Sequence, residues 1–113
     1  MCGIIGIFNK EDAVKQVETA LAILKNRGKD GFGLSDGKNI FLSKIPTITT
    51  NNAVGHTLHA VVNHFPQPIK QQGNLVANCE IYNWQELNKK YSFGKRLFRP
   101  YFNPKSFTEI RIK

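Results

Sequence analysis

The sequence predicts an α+β fold, because strand-like runs and helical spacings alternate along the chain. Residues 1–8 contain the apolar run Gly-Ile-Ile-Gly-Ile-Phe, which is typical of a short buried strand. Residues 12–26 carry apolar side chains at helical intervals, and residues 53–63 form a second run with strand character. With 113 residues, of which 41% are hydrophobic, the chain fits one small domain that can build a core.

The first helix is expected over residues 12–26. Asp12 is expected to cap its start, and Gly28 is expected to mark its end. One face of this helix collects the apolar side chains, so that face should pack on the core. The residues of that face are Val14, Val17, Leu21 and Leu24, with Ala13 and Ala20 beside them.

A β-hairpin is expected over residues 33–44, because the pair Asp36-Gly37 is a strong turn signal. A second helix is expected from Trp84 to about Tyr91, since Asn83 and Glu86 form a capping-box pattern ahead of it. The other expected elements are an irregular connection over residues 45–52 and strands over residues 53–63 and 74–77.

The apolar runs and the cysteine content of the sequence indicate the cellular compartment. No apolar run approaches the roughly 18 residues that a membrane span needs, and no basic stretch precedes the first apolar segment as it would in a signal peptide. Cys2 and Cys79 are the two cysteines of an otherwise ordinary composition, which favours free thiols in a reducing compartment. We therefore expect a cytoplasmic protein with no membrane partner.

The basic charge of the chain is unevenly distributed. The formal net charge is +8, and residues 94–113 hold six basic side chains against the single carboxylate of Glu109. Aromatic residues lie between these basic groups, and that combination suits single-stranded nucleic acid. A binding module that uses this tail is therefore one alternative to an enzyme, and an inactive scaffold is another. No recognised nucleic-acid-binding motif supports the binding module.

Cys2 is the first candidate for chemistry. If Met1 is removed, Cys2 carries a thiol and a free α-amine on one residue. A free thiol has a pKa of about 8.5, and an α-amine has a pKa of roughly 7.7–8.0, so part of the amine is neutral near pH 7 and can accept a proton. This is the nucleophile-and-base pair of covalent catalysis. The alternative is an apolar first strand that happens to carry a cysteine.

A glycine-rich stretch and a group of three histidines give weaker indications of function. The glycine-rich stretch at residues 27–33 lacks the spacing and the Lys-Ser/Thr ending of a phosphate-binding loop. His56, His59 and His64 lie close in sequence, but an extended strand places His56 and His59 on opposite faces. No carboxylate or cysteine is interleaved with them, so structural or substrate-facing histidines are favoured over a metal site.

Four segments, at residues 1–6, 27–33, 60–69 and 78–83, together resemble class II glutamine amidotransferase domains, which use an N-terminal cysteine nucleophile. Residues 1–6 (Met-Cys-Gly-Ile-Ile-Gly) resemble the start of those domains, and residues 27–33 resemble their Arg-Gly-Pro-Asp loop. Residues 60–69 resemble the glutamine-site strand and the loop after it. Residues 78–83 (Asn-Cys-Glu-Ile-Tyr-Asn) resemble an Asn-Gly-Glu-Ile-Tyr-Asn motif in the form that asparagine synthetases carry.

This resemblance implies a four-layer αββα sandwich of the Ntn-hydrolase kind, with antiparallel sheets. It also implies that Cys2 attacks the side-chain amide of L-glutamine and that water releases glutamate from the thioester. The matching positions are Cys2, Asn78 and Cys79 for catalysis, with the Asn78 side chain and the Cys79 N–H as oxyanion donors. Backbone groups of Val61 and Val62 would line the ligand, Glu80 would contact its amine, and Arg27 and Gly28 would support the terminus.

The sequence departs from the family pattern in four places. Cys79 replaces a glycine, and Lys29 replaces a proline in the loop at residues 27–33. Leu58 stands where the family has an arginine for the substrate carboxylate. Either His59 or His56 supplies a weaker cation there, or the substrate differs from free glutamine. The family's later Ser-Asp motif, whose aspartate holds the substrate amine, has no counterpart in residues 94–113.

The resemblance covers about residues 1–93, so we expect an incomplete amidotransferase domain there and a separate basic tail over residues 94–113. A shifted reading frame near residue 94 would explain the abrupt change in pattern. No cofactor is expected in this chain, since ATP and magnesium belong to the synthetase domain of asparagine synthetases. The expected partners are L-glutamine and a separate synthetase chain that uses the ammonia.

Overall fold

The computed structural model describes residues 1–60, 64–70, 73–78 and 82–91. The chain divides into two compact units, the first formed by residues 1–60 and 64–77 and the second by residues 61–63 and 78–113. The elements are β1 (Gly3–Phe8), α1 (Ala13–Leu24), β2 (Gly31–Ser35), β3 (Ile40–Leu42), β4 (Asn52–Leu58), β5 (Ile69–Lys70), β6 (Asn74–Leu75) and α2 (Trp84–Tyr91). Within the described ranges, no helix is both long and apolar enough to cross a membrane.

The first unit is built on an antiparallel sheet with the strand order β1-β4-β2-β3. The register places Gly55 of β4 between Ile5 of β1 and Leu34 of β2. The short strands β5 and β6 form a second antiparallel pair. The expectation of an α+β fold with antiparallel sheets is confirmed at this level, and the four-layer sandwich stays a prediction.

Helix α1 packs on one face of the larger sheet, as its apolar spacing predicts. Close packing requires a glycine at Gly55, where an added Cβ would lie 2.7 Å from the Val17 side chain. The helix begins directly after Asp12, whose side chain makes no capping hydrogen bond, and it ends at Leu24. The buried cluster between helix and sheet consists of Ala13, Val14, Val17, Leu21, Leu34 and Ala53.

Strand β1 is only half buried, so the expectation of a buried strand is wrong. Gly3 is buried, whereas Ile4 is 48% and Phe8 is 64% exposed. The reason is its position, because β1 pairs with β4 alone in the described sheet and α1 covers one face. Side chains that alternate away from α1 therefore reach the surface.

The β2–β3 hairpin is confirmed, although its loop spans the four residues 36–39 between the paired ends Ser35 and Ile40. The Asp36 carboxylate accepts hydrogen bonds from the backbone N–H groups of Lys38 (2.8 Å) and Asn39 (2.6 Å). Partial burial raises the pKa of Asp36, but these hydrogen bonds outweigh it and hold the pKa below 3.8. Gly37 has φ +94°, a backbone conformation that favours glycine.

The elements after the hairpin have the predicted type, but two of the strands are shorter than predicted. Helix α2 covers the expected residues, and residues 45–50 are irregular as expected. Strand β4 ends at Leu58 instead of continuing to residue 63, and β6 is confined to Asn74–Leu75. The end of β4 brings His59 out of the strand ladder, where its backbone groups can serve the first residues of the chain.

Candidate active site

The thiol of Cys2 lies against the end of β4. Because β1 and β4 run antiparallel with Gly3 opposite Thr57, the residue before β1 meets the residues after β4. The backbone N–H of His59 donates a hydrogen bond to Cys2 Sγ at 3.3 Å, and the His59 carbonyl oxygen lies 3.8 Å from the same sulfur. Cys2 itself is half-exposed, and its thiol has a fixed backbone partner.

Thr57 anchors the strand behind the thiol. Its Oγ1 accepts the backbone N–H of Gly3 at 3.0 Å and donates to the carbonyl oxygen of Leu24 at 3.3 Å. Thr57 is 1% exposed and Gly3 is buried, so the hydrogen bond between them is held out of water. One hydroxyl therefore ties β1 to β4 and to the end of α1.

Thr57→Val is expected to lower the free energy of unfolding by about 1–3 kcal/mol, because the buried Gly3 N–H loses its acceptor without gaining another. Urea unfolding followed by circular dichroism measures this change. Thr50→Val removes the exposed hydroxyl that donates to Asn52 O at 3.0 Å and serves as the control. An equal loss in both variants would contradict the role given to Thr57.

The loop after α1 supports the chain terminus. Arg27 Nε donates to the carbonyl oxygen of Cys2 at 3.4 Å, and Arg27 Nη2 lies 4.0 Å from Met1 Sδ. Gly28 packs directly on the backbone of β4, where an added Cβ would lie 2.6 Å from the carbonyl carbon and oxygen of Leu58. A side chain at residue 28 would therefore push this loop away from β4.

Asp30 joins the same loop to the residues that follow β4. Its carboxylate Oδ2 accepts the Ala60 N–H at 2.7 Å and lies 3.6 Å from His59 Nδ1. Its own N–H donates to the carbonyl oxygen of Leu58 at 3.0 Å. Its carbonyl oxygen lies 2.9 Å from His64 Nε2. The segment around His59 is thus held by Asp30 on both sides.

An open cavity of about 560 Å³ lies beside the terminus. Its lining combines two cations with a carboxylate and an imidazole, so it suits a ligand that carries charges of both signs. The lining residues are Met1, Asn26, Arg27, Gly28, Lys29, Asp30 and His59.

A comparison with protein families assigns the chain. The family model of the glutamine amidotransferase domain matches residues 1–112. The chain belongs to the glutamine amidotransferase domain family. No curated protein matches the chain, and no solved structure matches it. Family membership indicates a glutamine-hydrolysing enzyme with glutamine as substrate. The match continues through residues 94–112, and the boundary at residue 93 stays a prediction.

The structure of this amidotransferase domain brings together the expected residues of its first unit, namely Cys2, His59, Arg27 and Gly28. Asn78 belongs to the second unit. Four other expected site residues lie outside the described residues. These are Val61, Val62, Cys79 and Glu80. Within the described ranges, no group of three or more His, Cys, Asp or Glu residues is placed to hold a metal ion.

His56 does not supply a cation to the site, and that expectation is wrong. Its side chain is 0% exposed on β4, and burial lowers its pKa to about 4, so it is neutral at pH 7. His59, by contrast, is 48% exposed in its side chain and lies beside Asp30. Of the two candidates for the place of an arginine at Leu58, only His59 can face a ligand. Leu58 itself is 5% exposed.

Asp30 and Thr57 are site residues that no sequence motif singles out. Asp30 lies inside the glycine-rich loop at residues 27–33, and only the fold shows that it reaches residues 58–60. Thr57 follows the alternation of β4 toward α1, where an apolar residue is the usual choice. A polar residue at that position is the one signal in the sequence that pointed to it.

Proposed function

We propose that this domain hydrolyses glutamine through Cys2 as an N-terminal nucleophile, exposed by removal of Met1. The supporting observation is the placement of Cys2 Sγ, which accepts the His59 N–H at 3.3 Å beside a cavity lined by charged groups. Met1 is 60% exposed, so a processing enzyme can reach it. The His59 N–H holds the sulfur in place beside the cavity, and the thiolate form of a cysteine is its reactive species.

The proposed reaction needs no group beyond the chain and water. The free amine of Cys2 takes the thiol proton, and the sulfur attacks the side-chain carbonyl carbon of glutamine. The tetrahedral intermediate collapses as the C–N bond breaks, and the amine returns the proton to the departing ammonia. Water then adds to the thioester, which releases glutamate and restores the thiol. The Asn78 side chain and the Cys79 N–H are the proposed donors to the oxyanion, in the manner of fixed dipoles at developing charge.

We further propose that the cavity beside the terminus receives the amino-acid end of glutamine. His59, held beside Asp30, would face the α-carboxylate in place of the arginine that Leu58 replaces. Lys29 lines the same cavity and brings a positive charge to it. Glu80 is the proposed partner of the α-ammonium group, and backbone groups of Val61 and Val62 are the proposed lining. An imidazole is a weaker anchor than a bidentate guanidinium, so a high KM is expected.

The asparagine-synthetase type is a finer proposal. It rests on the Asn-Cys-Glu-Ile-Tyr-Asn motif at residues 78–83. In this proposal the ammonia serves amide synthesis in a synthetase domain or a separate synthetase chain. ATP and magnesium are assigned to that synthetase and not to this domain.

The deciding experiment is glutamate release from L-glutamine by the purified Met1-free chain and by Cys2→Ala. We expect Cys2→Ala to lose activity by roughly 10³-fold or more, as variants without their nucleophile do. Intact mass establishes beforehand that Met1 is absent, and circular dichroism establishes that both proteins are folded. Equal rates in the two proteins, or no activity in the folded Met1-free chain, would overturn the proposal.

A matched control separates the thiol from the amine. An N-terminal extension that prevents removal of Met1 keeps the Cys2 thiol and its His59 partner but replaces the free amine by a peptide bond. If the amine is the base, this protein should be almost as inactive as Cys2→Ala. Full activity with the extension in place would show that another group accepts the proton.

A further inference from the structure

Asp30 makes contacts through its backbone N–H, its backbone carbonyl and its carboxylate. The N–H and the carboxylate bind the peptide groups on either side of His59, the residue whose N–H donates to the Cys2 thiol. The Asp30 N–H donates to the Leu58 carbonyl oxygen at 3.0 Å, and the Asp30 carboxylate accepts the Ala60 N–H at 2.7 Å. Leu58 O and His59 N–H belong to one peptide group, and His59 O and Ala60 N–H belong to the next. Asp30 therefore holds both peptide groups that flank His59.

The first of these peptide groups is the one that serves the thiol. Its carbonyl oxygen accepts from Asp30, and its N–H donates to Cys2 Sγ at 3.3 Å. Hydrogen bonds in such a chain polarise one another, so a bond at the carbonyl strengthens the N–H as a donor. The second peptide group lies on the other side of His59, and its N–H is held by the carboxylate.

We propose that Asp30 is the positioning residue of the nucleophile: its backbone N–H holds the peptide before His59 and its carboxylate holds the peptide after it, so that the His59 N–H points at Cys2 Sγ. The same carboxylate, 3.6 Å from His59 Nδ1, turns the imidazole toward the cavity. This inference deepens the proposed function, on which it rests for the role of Cys2. Asp30 touches neither the sulfur nor the substrate, so it acts through His59.

A residue that merely anchors a loop has the opposite effect on the thiol when it is removed. Loosening the loop exposes Cys2 and makes the thiol react faster with a small electrophile. Loss of the positioned N–H donor leaves the sulfur without the group that orients it for attack, and the thiol reacts more slowly. The rate of alkylation of Cys2 therefore distinguishes the two roles, and it does so without glutamine turnover.

The test is the rate of iodoacetamide alkylation at pH 7 in the Met1-free chain, with Cys2 resolved from Cys79 by peptide mass. Asp30→Ala removes the acceptor for the Ala60 N–H, and we expect alkylation of Cys2 to slow about 5-fold or more. Asp30→Asn keeps an acceptor oxygen, and its rate should stay within about 3-fold of the parent. Asp36→Ala is the matched control, since that carboxylate also accepts backbone N–H groups but in the β2–β3 loop.

The outcomes separate cleanly. Slower alkylation in Asp30→Ala, rescued in Asp30→Asn and absent in Asp36→Ala, supports the positioning role. An unchanged or faster rate in Asp30→Ala overturns it. If Asp30→Ala does not fold, a fall well beyond about 3-fold in Asp30→Asn overturns it instead, because the hydrogen bond alone would then not carry the effect. If the parent chain shows no glutaminase activity, the alkylation series still decides the role of Asp30, while the proposed function fails on its own test.

Discussion

Gly28→Ala is expected to lower the free energy of unfolding by about 1–3 kcal/mol or more, as forced overpacking does. The added Cβ would lie 2.6 Å from both the carbonyl carbon and the oxygen of Leu58 and 2.8 Å from the carbonyl carbon of Thr57. All three are backbone atoms inside a paired strand, so they cannot move aside as a flexible side chain can. The loop that carries Arg27 and Asp30 must shift instead.

The structure offers a matched control three residues away. At Gly31 an added Cβ would lie no closer than 3.6 Å to any neighbour, which is ordinary van der Waals contact. Gly31→Ala should therefore change the free energy of unfolding by less than about 0.5 kcal/mol. Urea unfolding of both variants measures the difference. Equal stabilities would mean that the loop does not pack on β4 as described.

Gly28→Ala should also disturb the thiol, because the displaced loop carries Asp30, and Asp30 holds the peptide that donates to Cys2 Sγ. The close packing of Gly28 on β4 therefore affects the hydrogen bond that the Cys2 thiol receives. From the sequence, Gly28 was expected both to end α1 and to support the terminus. The contact with Leu58 gives that support a physical basis in close backbone approach.

Local pattern was enough to place most elements of the first unit. The apolar spacing of α1 and the Asp-Gly pair of the hairpin act over a few residues, and both elements appear where they were expected. The end of β4 was not predictable in the same way, since residues 59–63 continue the strand-like composition. At the end of the strand ladder, Asp30 makes tertiary hydrogen bonds to residues 58 and 60, and no local pattern in the sequence indicates them.

The candidate site could be predicted only in part, for the same reason. Cys2, Arg27 and Gly28 were found through their motifs, whereas the His59 N–H became visible only when the pairing of β1 with β4 was known. His56 shows most clearly what the sequence pattern leaves undecided. Alternation along one strand places it opposite His59, but β4 ends at Leu58, and the pattern alone does not tell which of the two histidines is buried.

The burial of His56 leads to a pH dependence of stability. Its side chain is 0% exposed, and among the described residues neither ring nitrogen has a hydrogen-bond partner. Burial lowers its pKa from 6.5 to about 4 in the folded chain. Between these two values the unfolded chain binds a proton that the folded chain does not, so stability rises with pH in that interval. The full free energy of unfolding is present above pH 6.5, and the part that depends on a neutral His56 is lost as the pH falls toward 4.

We expect this group to reduce the free energy of unfolding by about 2 kcal/mol between pH 7 and pH 5 and by about 3 kcal/mol once the pH is below 4, on the scale of 1.36 kcal/mol per pKa unit. Urea unfolding at a series of pH values measures the slope. His56→Leu removes the titrating ring and should flatten the curve over that interval. Thr57→Val changes the neighbouring residue without a titrating group, so it should lower the curve by a constant amount and keep its slope. A His56→Leu curve as steep as the parent's would show that protonation of other groups drives the acid loss.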